Sequence, residues 1–370
     1  DHTHNGVIQG LAGANPFVKT GAGEMRLGGV NTFIAPIHIN EGTLSTDASN
    51  RLGNNTNVIA FGGGTWFVDG TFGNSRTVQL NQNGGTIDVA GGFTLTQSGV
   101  IEDGANGPAG PLTTAGGGTL RLNAANTYSS GTFIQSGIVR LIGAGQLPDT
   151  TDVDVADGAT WDLNDRDDAI DGLSGSGDIL LGTAQLTVGS DDGGGTFGGV
   201  ISETGSLVKV GTGTQLLRTK QVGEDVFPNT YEGGTAINGG TLDIEEDQNL
   251  GEAGGPLSFD NGTLQVTGEG SITTDRLVTL NDGGGTLNPV SQDSSMTFNN
   301  VISGPGGLTK IGQGTVTLAA DNAYAGNTVI NAGRLRLSDS GQIPDTSSVV
   351  VEASGIMGEG LDLNDISDAI

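Results

Sequence analysis

Cysteine is absent from the 370 residues. That excludes disulfides, thiolate metal centres and cysteine nucleophiles. It leaves an extracellular destination open, because a chain that crosses a periplasm unfolded cannot be trapped by a disulfide it cannot form. Aromatic residues are scarce, at 4%. So is positive charge: 14 Lys and Arg stand against 42 Asp and Glu, for a net charge of −28 and a pI near 4.1. Such a surface repels phosphate backbones and anionic lipid, which sets both aside as partners. No apolar run reaches the roughly 18 residues that a membrane-spanning helix needs. No apolar pattern of period 3.6 is long enough to announce an α-helix either.

What is abundant is glycine, 68 of 370, beside an apolar fraction of only 34%. Neither shifts along the chain in a way that marks a linker. So little apolar material suits a solenoid, where each coil turns only a few side chains inward, better than a compact globule. The chain opens at Asp1 without a methionine or a signal peptide, so residues 1–370 are expected to be part of a longer product.

Only three tyrosines occur, and all take one place in a repeated motif: Tyr128 after Asn126-Thr127, Tyr231 after Asn229-Thr230, and Tyr324 after Asn322-Ala323. Phe33, after Asn31-Thr32, fills that place in a fourth copy. Each copy carries a Gly-x-Gly turn upstream, ending at Gly23, Gly118, Gly213 and Gly314, so the copies are 95, 95 and 101 residues apart. A larger unit lies above these. Gly145-Gln146-Leu147-Pro148-Asp149-Thr150 matches Gly341-Gln342-Ile343-Pro344-Asp345-Thr346, and Asp168-Ala169-Ile170 matches Asp368-Ala369-Ile370. Val78-Gln79-Leu80-Asn81 before Gly84-Gly85-Thr86 matches Val278-Thr279-Leu280-Asn281 before Gly284-Gly285-Thr286.

Within a copy the pattern is two-residue alternation over about four residues, as in Thr315-Val316-Thr317-Leu318, broken by Gly, Asn and Asp. That predicts an all-β chain of short strands and tight turns. Propeller blades have shorter periods and more aromatics, and a sandwich needs two well-filled inner faces. The pattern therefore predicts a right-handed parallel β-helix, a β-solenoid, along the whole chain. Residues 1–370 form a single β-helical repeat region with repeat cores at about 16–44, 112–141, 205–244 and 306–337. At about 20 residues per coil and about 4.8 Å per coil, the expectation is roughly 18 coils in a rod about 85 Å long.

The fullest copy, Gly307-Leu308-Thr309-Lys310-Ile311-Gly312-Gln313-Gly314-Thr315-Val316-Thr317-Leu318 with Asn322-Ala323-Tyr324 and Thr328-Val329-Ile330-Asn331-Ala332-Gly333-Arg334-Leu335, resembles the autotransporter passenger-associated repeat. Leu207-Val208-Lys209-Val210-Gly211-Thr212-Gly213-Thr214 is similar to the same unit, whereas the second copy has Thr114 where the others carry lysine. The resemblance implies a large secreted β-helical protein of a bacterial surface. Members of that family usually end in an outer-membrane β-barrel, and residues 1–370 contain no such segment.

Few residues invite a chemical reading. Lys19, Lys209 and Lys310 share one repeat position and are expected to cap turns or pair with carboxylates, rather than to bind an anionic glycan. Asp162, Asp165, Asp167, Asp168 and Asp171 offer enough oxygens for calcium but match no calcium-loop spacing, so a solvated turn is the plainer expectation and Ca2+ the weaker one. Glu245-Glu246-Asp247 reads as solvated too. His2 and His4 stand near one end and His38 alone. No His-Glu-x-x-His or Gly-Lys-Ser/Thr occurs. Asp165 and Asp168 beside Arg166 are the one candidate pair for glycan cleavage.

The expectation is a non-catalytic extracellular structural or adhesin-like passenger that meets cell-surface or matrix ligands, or other copies of itself, without cofactors. The alternatives are a subunit of a self-assembling surface or matrix fibre, of the kind found in biofilms, and a glycan-cleaving β-helix. The fibre reading draws on two matches: Gly6-Val7-Ile8 with Gly199-Val200-Ile201, and Asp368-Ala369-Ile370 with Asp168-Ala169-Ile170. Both place the ends of the segment inside a repeat.

Overall fold

The computed structural model describes residues 1–10, 13, 15–105, 107, 109–268, 270–338, 340–352 and 360–363. The terminal Asp368-Ala369-Ile370 copy lies outside the described residues. Among those described there is no α-helix, and no helix long and apolar enough to cross a membrane. The chain is a parallel β-solenoid, as the two-residue alternation implies. It divides into two compact units, residues 1–170 with 174–180, and residues 171–173 with 181–370.

In the first unit a coil is a sequence of three short strands. Val78–Leu80, Gly85–Val89 and Thr94–Gln97 make one coil, and Ile101–Asp103 then stacks in parallel on Val78–Leu80. Coil follows coil in register: Phe17, Ile37, Ile59, Val78 and Ile101 are successive partners, 19 to 23 residues apart. Because side chains alternate, a fixed register stacks like on like. Leu95, Leu120, Val139, Trp161 and Ile179 form one such buried column. The outward positions stack too, giving the threonine ladder Thr43, Thr65, Thr86 and Thr113.

The second unit repeats this plan. Leu207, Thr235, Leu257, Val278 and Ile302 are successive inward partners. Outward, Thr214, Thr241, Thr263, Thr286 and Thr309 form the second threonine ladder. One element departs from the plan: Lys220–Val222 and Asp225–Phe227 pair antiparallel as a hairpin.

The repeated Gly-Gly-Thr turn has a steric cause. Gly84 and Gly284 sit at φ +64° and +69°, where a side chain is strained. A Cβ on Gly85 or Gly285 would lie 2.1 or 2.7 Å from the ring of Phe61 or Phe259 in the coil beneath. The two glycines therefore do different jobs: the first makes the corner, and the second admits an aromatic core residue.

Candidate functional site

The residues held at constant repeat register all point inward, and the coil backbone answers their polar atoms. Lys310 lies in an apolar column between Leu287 and Ile330 and is fully buried. Its stem packs there while its Nζ turns to the corner and donates to the carbonyls of Ile311 (2.6 Å), Gly312 (2.8 Å) and Ala332 (3.0 Å). Lys19 does the same to Thr20, Gly21 and Glu41, at 3.0, 2.6 and 3.0 Å. Lys209 donates to the carbonyl of Val210, and burial lowers its pKa against the pull of Asp192 and Asp171. Lys19 and Lys310 thus close their own turn onto the next coil, and Lys209 closes its own turn. Where the second copy has Thr114 instead, the buried hydroxyl finds no hydrogen-bond partner.

The aromatic position follows the same logic. Tyr128, Tyr231 and Tyr324 are buried, and each hydroxyl bonds the threonine four residues on: Thr132 at 2.6 Å, Thr235 at 2.7 Å and Thr328 at 2.6 Å. Phe33 is also buried, stacks on Phe17 with ring centroids 5.7 Å apart, and has Ile37 four residues on. Where the aromatic loses its hydroxyl, its partner does too. The asparagine two residues earlier staples three coils. Asn126 accepts from Ile101 N–H (2.9 Å) and donates to Gln146 C=O (2.8 Å), and Asn31, Asn229 and Asn322 bridge in the same sense.

Two further buried cations were missed in the sequence reading. Arg276 donates to the carbonyls of Asp247, Gly251, Glu252 and Gly255 and pairs with the Asp247 carboxylate at 3.1 Å, wrapping the 3₁₀ turn Asp247–Leu250. Arg76 wraps the turn Ser49–Leu52 through the carbonyls of Ser49, Gly53 and Asn54. It has Ser49 Oγ and Asn74 Oδ1 in place of a carboxylate, and burial pulls its pKa down to about 10. The signal was present in the shared Arg-x-Val-x-Leu-Asn, at 76–81 and 276–281.

The acidic candidates do not gather into one site. Asp162 is buried and pairs with Arg140 at 2.6 Å. Asp165 and Asp167 stand exposed on a turn where Asn164 and Asp165 take φ of 49° and 62°. They line a cleft of about 350 Å³ with Arg166, Gln146 and Gly143–Gly145. Asp168 turns the other way, into the core: Oδ2 accepts from Leu147 N–H at 3.1 Å and Oδ1 has no partner. Burial above all raises its pKa to about 7, Asp149 adds to the rise, and the N–H groups of Leu147 and Ala169 oppose it. A carboxyl in the core and one on the surface cannot flank the same glycosidic bond, so Asp165 and Asp168 do not make the cleavage pair. Asp171, in the second unit, accepts from the N–H groups of Asp191 and Gly193 at 2.8 and 2.7 Å. Among the described residues no group of three or more His, Cys, Asp or Glu is placed to hold a metal. Glu245 pairs with Arg218 at 3.1 Å, and Glu246 caps the 3₁₀ turn that follows. Of the histidines, His2 and His4 lie on an edge strand, and His38 is half-buried on an outward face with its pKa lowered by burial.

Comparison with known proteins fits this picture. The Passenger-associated-transport-repeat family profile matches residues 17–45, 112–141, 207–244 and 308–337, the four stretches that hold the lysine position, the asparagine staple and the aromatic. Over 376 aligned residues, 96% of this chain, the sequence is 32% identical to the adhesin BmaC autotransporter of Brucella suis biovar 1 (strain 1330), of which it covers 10%. It is 26% identical over 369 residues to the probable autotransporter YfaL of Escherichia coli (strain K12), across 85% of this chain and 28% of that protein. A shorter stretch of 71 residues, 19% of this chain, is 42% identical to 6% of the extracellular serine protease of Serratia marcescens. No solved structure matches. The chain therefore spans well under a third of each of these relatives.

Proposed function

The chain is an autotransporter passenger repeat protein, and on that premise we propose that it serves as an adhesin-like β-helical passenger, displayed at the bacterial surface or outside the cell and acting by contact rather than catalysis. The observation that carries this reading is the alignment of 96% of the chain with a protein named as an adhesin autotransporter. The site geometry supports it. The lysine, asparagine and aromatic positions common to the repeats serve the coil itself, which leaves the outer faces and turns to vary for contact. In support of a non-catalytic role, the candidate carboxylates point to opposite sides of their coil wall. The 71-residue likeness to a serine protease covers too little of that enzyme to bring its activity here.

The test is display of residues 1–370 on a non-adherent bacterium, fused to a heterologous outer-membrane barrel. Attachment to cultured epithelial cells and to matrix-coated surfaces should exceed that of cells displaying the barrel alone. Equal attachment on all of them would overturn the reading.

A further inference from the structure

The third repeat contains an insertion. From the last inward residue of the strand to the stapling asparagine the other copies take four steps: Leu27 to Asn31, Leu122 to Asn126 and Leu318 to Asn322. The third takes twelve, Leu217 to Asn229. The eight extra residues are the hairpin Lys220–Phe227. Gly223, at φ +65°, opens its two-residue turn, as a primed turn requires, and Pro228 ends the second strand. At its base Asn249 Nδ2 donates to Thr219 Oγ1 at 2.9 Å.

The side chains of this hairpin do not serve the core. Val222, Val226 and Phe227 are 57%, 48% and 42% exposed. The register sets Lys220 opposite Phe227, Gln221 opposite Val226 and Val222 opposite Asp225. Val222 and Phe227 therefore share one face and Val226 lies on the other, so neither face is a packed underside. A two-stranded hairpin has little stability of its own, and the register turns the N–H and C=O of Gln221 and Val226 outward, away from the opposite strand. Its tip is acidic, with Glu224 and Asp225 exposed, and the base bond to Asn249 sets the hairpin near the Glu246 turn, where Glu245 and Asp247 are already paired with Arg218 and Arg276. The nearby Arg218 is held by Asp243 and Glu245 at 2.9 and 3.1 Å.

We propose that this hairpin is a docking finger for an extended segment of a partner protein, which adds along its second strand, Asp225–Phe227, as a further strand and presents alternating apolar and cationic side chains. Main-chain bonds to the edge would give the affinity. The exposed Val and Phe side chains and the carboxylates at the tip would select the sequence. A second copy of the chain is a poor occupant, since each carries a net charge of −28. The proposal rests on the reading of the chain as a contact-making passenger and names where one such contact is made.

The probe is a fluorescein-labelled synthetic peptide of alternating valine and lysine, about eight residues long, titrated at low salt against the whole chain and followed by anisotropy. The intact chain should bind it. Removal of residues 220–227, which restores the four-step connection of the other copies, should weaken binding at least about tenfold, with coil melting unchanged. The combined changes Val222→Ser, Val226→Ser and Phe227→Ser, all at exposed positions, should do the same. A peptide N-methylated at alternate amides should fail to bind, because it cannot pair with an edge. Equal binding by the deleted chain would show generic attraction to the acidic surface and overturn the proposal. No binding at low salt would overturn it too, as would a hairpin-dependent dimer in light scattering. Because the probe is a soluble peptide, failure here is distinguishable from failure of the displayed chain to attach to cells.

Discussion

A tyrosine hydroxyl inside an apolar coil must find a partner, and Tyr128 has one, Thr132, at 2.6 Å. Tyr128→Phe leaves the Thr132 hydroxyl buried and alone, and should cost about 1–2 kcal/mol. Adding Thr132→Val removes the stranded group and imitates the Phe33 and Ile37 pairing of the first copy, so the double variant should lose less than the sum of the two single changes. Urea melts of the four proteins give the coupling energy, and strict additivity would show that the bond contributes nothing. Asp168 makes a different demand. Its carboxyl keeps its proton to about pH 7 in the folded chain, against an ordinary value of 3.8. Between those values the folded state binds more protons than the unfolded one, so the contribution of this group to stability is fully present below about pH 4. It is lost as pH rises and levels off above about 7, for a total on the order of 4 kcal/mol. The urea midpoint of the first unit should therefore fall between pH 4.5 and 8. It should fall less in Asp168→Asn, where only the general repulsion of the acidic surface remains. Parallel pH profiles for the two proteins would contradict this assignment.

At the scale of the element, corners decide the coil. A corner leaves carbonyls facing inward that no neighbouring strand can satisfy, and this chain answers them with cations: Lys19, Lys209 and Lys310 at the Gly-x-Gly corner, Arg76 and Arg276 at the 3₁₀ turns. Lys310→Met keeps the stem in its apolar column but strands three carbonyls, and should cost about 2–4 kcal/mol, read as earlier urea unfolding of the second unit. An unchanged midpoint would mean that water serves those carbonyls as well as the ammonium does. The same corners separate what the sequence discloses from what it hides. Alternation discloses the strands and the solenoid, and the rarity of tyrosine discloses the register. The lysine position is equally visible, but as a charge in a chain of short polar turns it looks like a surface residue. Only the coil beneath, which brings Ala332 C=O within 3.0 Å of Lys310 Nζ, makes it a core residue. Arg76 and Arg276 stayed hidden for the same reason, since their carbonyl partners lie 21 to 29 residues away, in turns that share little beyond Leu-Gly. In Asp162 to Asp171 a cluster along the chain is scattered in space, because Asp162 and Asp168 are buried on successive strands while Asp165 and Asp167 stand on the exposed turn between them.

For the molecule as a whole, the count of charge understates its effect. Of the 14 basic residues, Lys19, Lys209, Lys310, Arg76 and Arg276 are buried against backbone carbonyls, whereas most of the 42 acidic residues have no basic counterpart. The outer surface is therefore still more one-signed than the net −28 suggests. Self-repulsion of this kind is screened by salt, with the Debye length falling from about 30 Å at 0.01 M to about 8 Å at 0.15 M. Melting temperature should rise by several degrees over that range of NaCl, whereas a surface dominated by ion pairs would lose stability. Calcium at matched ionic strength sharpens the test. Asp162 is bound to Arg140, Asp168 is buried with Oδ2 on the Leu147 N–H, and Asp171 is taken up by backbone N–H groups. Calcium should therefore act only as a more effective screening ion, with a gradual rise that does not saturate. A saturable further rise at micromolar calcium, abolished by Asp165→Asn with Asp167→Asn, would instead establish a dedicated site on the turn that lines the 350 Å³ cleft.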